Sequence, residues 1–175
     1  MVVTSKKLDI LSGRGAAGLD PLDSRAARVA ALDSLARRDR SSEDLRRKLV
    51  DKGYDPLVAG AVVERLCAEK LVDDRRYVEN FVGFHAARGQ GPLRVRAELR
   101  QLGLQGDLVE AALEGYPDWI GQLKKAHQKK FGTQRPTHYA ERQRQCRFLG
   151  YRGFTGAQIR LALGFDTDLE SDVNI

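Results

Sequence analysis

At 175 residues and 42% apolar content, the chain suits one ordinary domain or a short array of small units, and no run approaches the ~20 apolar residues a membrane-spanning helix needs. The net charge of +6 is unevenly spread: residues 1–23 are neutral, 24–72 carry +3, 73–116 carry −1, 117–165 carry +8 and 166–175 carry −4. A basic block beside a neutral one points to a directional interaction with something acidic, and no membrane partner is expected.

Residues 1–23 hold Gly13, Gly15 and Gly18 without sustained periodicity and read as a flexible leader. Met1-Val-Val-Thr-Ser-Lys-Lys has neither an apolar core nor a cleavage pattern, so no signal peptide and a cytoplasmic location are expected. Asp23 or Ser24 can cap a first helix running to about Arg38, with Leu32 and Leu35 inward. Ser41 followed by Asp44 imitates a capping box for a helix over 42–52. That helix places Leu45 and Leu49 on one side, and Glu43–Arg47 and Asp44–Lys48 as i,i+4 pairs on the other. Asp55-Pro56 reads as the cap and first position of a third helix. Asp73-Asp74 starts the fourth, opposing the positive end of its dipole, and Tyr77, Phe81 and Phe84 form an aromatic stripe expected in the core. Gly91-Pro92 opens a fifth, with Val95, Leu99 and Leu102 on one stripe, and Asp107–Glu114 forms a sixth. After Pro117 a seventh helix turns Trp119 and Leu123 inward and Lys124, Lys125, Lys129 and Lys130 to water. Gly132–Pro136 reads as a loop, the next helix covers Tyr139–Arg152, and Thr155 caps the last. An acidic tail, 166–175, follows.

The pattern repeats at a fixed spacing of fifty residues. Leu49, Leu99 and Leu149 each precede a glycine, Gly53, Gly103 and Gly153, which is followed by Tyr54, Leu104 and Phe154. The apolar sets Ala59–Val62–Val63, Val109–Ala112–Leu113 and Ile159–Ala162–Leu163 follow in register. Self-similarity of this kind marks a repeat architecture. The expected fold is all-α: three tandem three-helix repeats over 24–72, 73–116 and 117–165, forming an elongated, curved array.

Catalytic patterns are missing. His85, His127 and His138 belong to no HExxH pair, and no GxxxxGK[ST] or GxGxxG loop or GxSxG elbow is present. Gly89-Gln-Gly91 follows a helix and reads as a turn, and Cys67 and Cys146 read as reduced thiols on helices. No cofactor, metal or enzymatic activity is expected. The basic residues are the functional candidates. Arg96 and Arg100 share a helix face beside the apolar stripe, and Arg94 lies in the same stretch. Arg46 matches Arg96 in the repeat register, and Arg152 matches Lys52. With Lys124, Lys125, Lys129 and Lys130 these form a candidate partner- or DNA-binding strip, whose phosphate contacts would be non-specific and salt-dependent.

Four blocks in order carry a family resemblance. Ala36-Arg-Arg-Asp-Arg-Ser-Ser-Glu-Asp-Leu-Arg-Arg-Lys-Leu49, preceded by Ala31-Leu32, resembles the opening block of the bacterial RecX regulatory proteins. Leu71-Val-Asp-Asp-Arg-Arg-Tyr77 with Phe81, then Gly91-Pro-Leu-Arg-Val-Arg-Ala-Glu-Leu99, then Arg147-Phe-Leu-Gly-Tyr-Arg-Gly-Phe154, resemble its later blocks; Val78 stands where the family usually shows Ala. The similarity covers about residues 26–165. It implies three tandem three-helix units in a monomer that binds the RecA recombinase filament in its helical groove. It further implies restraint of that filament's ATP hydrolysis, strand exchange and co-protease activity, and, in some members, DNA binding. The alternative reading is a non-specific DNA-binding helical-repeat protein that acts by competing for DNA.

Overall fold

The computed structural model describes residues 19–133, 136 and 138–164; the leader up to residue 18, positions 134, 135 and 137 of the loop, and the acidic tail lie outside them. Among the described residues there are nine helices and no strands. They are α1 (Ser24–Arg37), α2 (Ser42–Asp51), α3 (Pro56–Ala68), α4 (Asp74–Ala87), α5 (Pro92–Gln101), α6 (Asp107–Gly115), α7 (Trp119–Phe131), α8 (Tyr139–Tyr151) and α9 (Gly156–Leu163). The chain divides into two compact units, Met1–Asp74 and Arg75–Ile175.

Five of the nine helix starts are set by side chains that satisfy the free N–H groups of a first turn, among them Ser41, which accepts from Asp44 N. Asp23 accepts from Arg25 N and Ala26 N, Asp55 from Leu57 N and Val58 N, and Asp118 from Gly121 N. Thr155 forms a full capping box with Gln158. The repeated stop is equally regular. Gly53, Gly103 and Gly153 take φ of 101°, 83° and 88°, a region that costs glycine nothing. The following amide returns to the leucine carbonyl each time: Tyr54 to Leu49 at 3.2 Å, Leu104 to Leu99 at 3.0 Å and Phe154 to Leu149 at 3.1 Å.

In the first unit the core is Ala27, Ala31, Leu45, Leu49, Tyr54, Ala59, Val62, Val63, Leu66 and Val72. Helix α1 places Ala27, Ala31 and Ser34 inward, so Leu32 lies exposed, against the sequence expectation, while Leu35 packs on the core edge. Asp44 also departs from expectation. Its carboxylate reaches back to Arg40 at 2.6 Å and Arg38 at 3.4 Å, cations brought beside it by the α1–α2 turn, rather than forward to Lys48. Asp74 lies in the first turn of α4, yet its carboxylate accepts from Ser42 N (2.7 Å) and Ser42 Oγ (2.6 Å) at the start of α2.

In the second unit one cluster gathers Val78, Val82, Val95, Leu99, Leu104, Val109 and Leu113, and another gathers Leu123, Cys146, Leu149, Phe154 and Ile159. Trp119 packs on both and donates from Nε1 to the Leu113 carbonyl at 2.9 Å, which ties the start of α7 to α6. The aromatic stripe of α4 is split. Val78, Val82 and Ala86 take the fully buried positions, Tyr77 and Phe81 pack at the edge, and Phe84 is 59% exposed. The valine face is the better fit to a tight interface because it brings α4 closer to its neighbours. Register also breaks once: where the earlier copies bury Leu45 and Val95, the third buries Gln145, bonded to His127 at 2.8 Å and to Glu141 at 3.2 Å.

The second unit is also pinned backbone to backbone. Gly91 N donates to Arg152 O at 2.7 Å and Leu93 N to Gly153 O at 3.0 Å, so the start of α5 is capped by the stop after α8. A Cβ on Gly91 would overlap the Gly153–Phe154 backbone, and one on Gly153 would overlap Arg94. Both glycines are there for close approach.

Candidate anion-binding cleft

The end of α4 meets α7 and α8 around a cleft of about 320 Å³. Its cations are Arg88, Lys125, Lys129, Lys130 and Arg152; Gln122 is its remaining charged-or-amide side chain, and no carboxylate lines it. Three local causes assemble it. Gly89, at φ 75°, stops α4 and sits against Ala126, where a Cβ would be too close. The spacing Gln122, Lys125, Ala126, Lys129 places one side of α7 toward the cleft, while Leu123 points to the core. Arg152 then closes the floor: Nη1 donates to Arg88 O (3.0 Å) and Gly89 O (3.2 Å), and the guanidinium lies 5.1 Å from the Phe148 ring centroid.

Arg152 therefore commits one guanidinium nitrogen, Nη1, to the carboxyl end of α4, where a cation complements the helix dipole. The three lysines are different. Lys125, Lys129 and Lys130 are exposed and form no ion pair or hydrogen bond among the described residues. Crowded like charges with no acid nearby repel one another, and an anion placed among them relieves that repulsion.

The other predicted site residues fall into two groups. Lys124 and Arg100 are exposed and have no ion-pair partner among the described residues; Lys124 lies outside the cleft lining. Arg46, Arg94 and Arg96 are engaged. Arg46 reaches Glu43 at 3.2 Å, and Arg94 Nε reaches Glu98 at 2.9 Å. Glu98 also meets His85 Nδ1 at 2.9 Å, and His85 contacts Gln90 and stacks on Phe81. Arg96 makes a two-pronged bond to Glu110, Nε–Oε1 2.8 Å and Nη2–Oε2 2.6 Å, which ties α5 to α6. That bond holds the Glu110 carboxyl below the usual carboxylate range and raises the Arg96 guanidinium further. Arg96 and Arg100, expected as a matched pair, are thus one structural tie and one available charge.

Sequence reasoning missed Arg88 and Gln122. The signal for Arg88 was its place just before the Gly89 stop, where α4 ends against another helix; Gln122 offered none. Cys67 and Cys146 carry free thiols on α3 and α8, and burial pushes both above the ordinary thiol range. Among the described residues no group of three or more His, Cys, Asp or Glu could hold a metal ion, and no helix is long and apolar enough to cross a membrane.

Comparison with known proteins gives one answer along the chain. Residues 27–66, 73–113 and 120–163 match the models of the first, second and third three-helix domains of RecX. The chain is 41% identical over 140 residues to the regulatory protein RecX of Halorhodospira halophila, covering 79% of this chain and 87% of that one. It is 43% identical over 144 residues to the regulatory protein RecX of Ectopseudomonas mendocina, covering 81% and 95%. The crystal structure of RecX from Lactobacillus salivarius superposes with a TM-score of 0.72 at 19% identity, over 81% of this chain and 95% of that one, and shares the fold. With three domain models matched in order and close relatives covered over most of their length, the chain belongs to the RecX family of regulatory proteins.

Proposed function

We propose that this protein is a negative regulator of the RecA recombinase. It binds in the groove of the RecA–DNA filament as a monomer and restrains ATP hydrolysis, strand exchange and co-protease activity, without catalysing a reaction itself. The observation that carries the reading is the in-order match of all three RecX domains between residues 27 and 163. Physically, successive helical units let one chain touch a polymeric partner at several points, so modest contacts add through effective concentration. The five cations around the cleft and the exposed Lys124 and Arg100 suit a partner with acidic surface, and such contacts speed encounter more than they tighten it. Its place of work is then the cytoplasm, where the filament is.

The test is RecA ATPase on single-stranded DNA with the DNA in large excess. Inhibition at substoichiometric protein that persists as more DNA is added is the expected result. Inhibition relieved in proportion to added DNA would replace filament binding with competition for DNA.

A further inference from the structure

We infer that the basic cleft between α4, α7 and α8 has an occupant within this chain: the acidic segment 166–172 docks there and competes with acidic partners from outside. The competition for the RecA filament rests on the function proposed above. The docking rests on the second unit alone.

The cleft holds charge that nothing in its lining balances. Arg88, Lys125, Lys129, Lys130 and Arg152 line it without a carboxylate. Glu98, Glu110 and Glu141 of the same unit are taken by Arg94, Arg96 and Arg144. The sequence beyond Gly164, outside the described residues, supplies what is lacking. Asp166, Asp168, Glu170 and Asp172 follow one another there, and residues 165–175 contain no Lys or Arg. Four negative charges facing five positive ones relieve the mutual repulsion of the lysines.

Spacing matches as well as sign. All four acids stand at alternate positions. In an extended strand alternate side chains point to one side about 7 Å apart, so such a strand presents its carboxylates in a row. A helix would scatter the same four around its axis. Lys125 and Lys129 are four residues apart on α7, about 6 Å along its axis, so neighbouring carboxylates of the strand meet successive lysines.

The chain is also long enough to reach. Ile159, Ala162 and Leu163 of α9 share a cluster with Leu123 of α7, while Gln122, Lys125, Ala126 and Lys129 of α7 line the cleft. The end of α9 is thus separated from the cleft by about one helix width, ~10 Å. Extended chain advances about 3.3 Å per residue, so the five residues 164–168 cover that distance. A tether this short holds the acids at an effective concentration on the order of millimolar, where weak ion pairs become populated.

The experiment is zero-length carbodiimide coupling of the dilute full chain, which joins a carboxylate to a lysine amine where the two touch, followed by peptide mapping. At low salt, links from the four acids to Lys125, Lys129 and Lys130 are expected at least about fivefold above links to Lys124, which is exposed on the same helix outside the cleft lining. Roughly 0.5 M salt should abolish them. No links, links shared evenly with Lys124, or links formed only between chains would overturn the docking. The second arm is RecA ATPase on single-stranded DNA with the Asp166→Asn, Asp168→Asn, Glu170→Gln and Asp172→Asn variant, its helicity and melting checked against wild type. Half-inhibition is expected at about threefold less protein than for wild type, with the difference shrinking as salt is raised. An unchanged half-inhibition point would overturn the competition. If the cleft links are absent while wild type still inhibits RecA, this inference falls and the filament reading stands. If the links form but neither protein inhibits RecA, the filament reading falls and the docking stands.

Discussion

Helices α5 and α7 both looked like basic binding helices, and they put their charge to opposite uses. On α5, Arg94 and Arg96 each have a glutamate within 3 Å, so their charge is paired inside the unit. On α7, Lys125, Lys129 and Lys130 face a cleft with no acid in its lining. The difference teaches that availability of a charge is set by what the fold brings beside it, not by the number of basic residues on a helix. Guanidinium favours this division, since its fork suits a fixed carboxylate, whereas a lysine ammonium remains a hydrated point charge.

The sharpest way to break this comparison is to remove the joint that holds the start of α5 against the stop after α8. Gly153→Ala forces a side chain into φ 88° and against the Arg94 backbone, and should cost on the order of 3 kcal/mol in a urea melt. A change under about 1 kcal/mol would mean that the crossing at Gly91 and Gly153 relaxes easily. Next in size is the contrast itself. Lys125→Glu with Lys129→Glu should weaken binding to RecA filaments on single-stranded DNA more than about tenfold with unchanged melting, whereas Arg94→Ala with Arg96→Ala should change it less than about threefold. Equal losses from the two pairs would return α5 to the interface.

The smallest effect tests whether the α5 charges are structural. Glu110→Gln should lower stability by about 0.5 kcal/mol, because both partners are over two-fifths exposed and water screens the pair. The sign with pH follows from the lowered Glu110 carboxyl. Its contribution is present above the ordinary carboxylate value of 4.5 and is lost as pH falls through the lower folded value, so wild type and Glu110→Gln should converge in acid. A gap that widens on acidification would reject the pairing.

Much of this was legible in the chain. Glycine stops, proline starts and Asp or Thr caps are local rules, so all nine helices were readable, and Gly53, Gly103 and Gly153 took the left-handed conformation that the fifty-residue echo required. What local rules could not rank was competing apolar faces. Helix α4 offers both an aromatic stripe and a valine stripe, and only packing distance chose Val78 and Val82 over Phe84. Leu32 lost to Ala27 and Ala31 for the same reason. The cleft was half legible. Its lysines stood out as a +8 block, but Arg88 lies in the block of −1 and reaches them only through the Gly89 stop. The pairing of Arg96 was not legible because Glu110 is fourteen residues away, beyond the reach of any helical spacing rule.

The Gly91–Gly153 crossing has a practical consequence. A contact made by bare backbone has no side chain to trim, so substitution can only add to it, and its sole tolerated residue is the smallest one. The cleft lysines are the reverse: each can be shortened without the fold registering the loss. In a library of single substitutions scored for both cellular abundance and RecA restraint, positions 91 and 153 should therefore fail on both scores, while positions 125 and 129 should fail on restraint alone. Scoring the two readouts together would separate the residues that make this protein from those that make it useful.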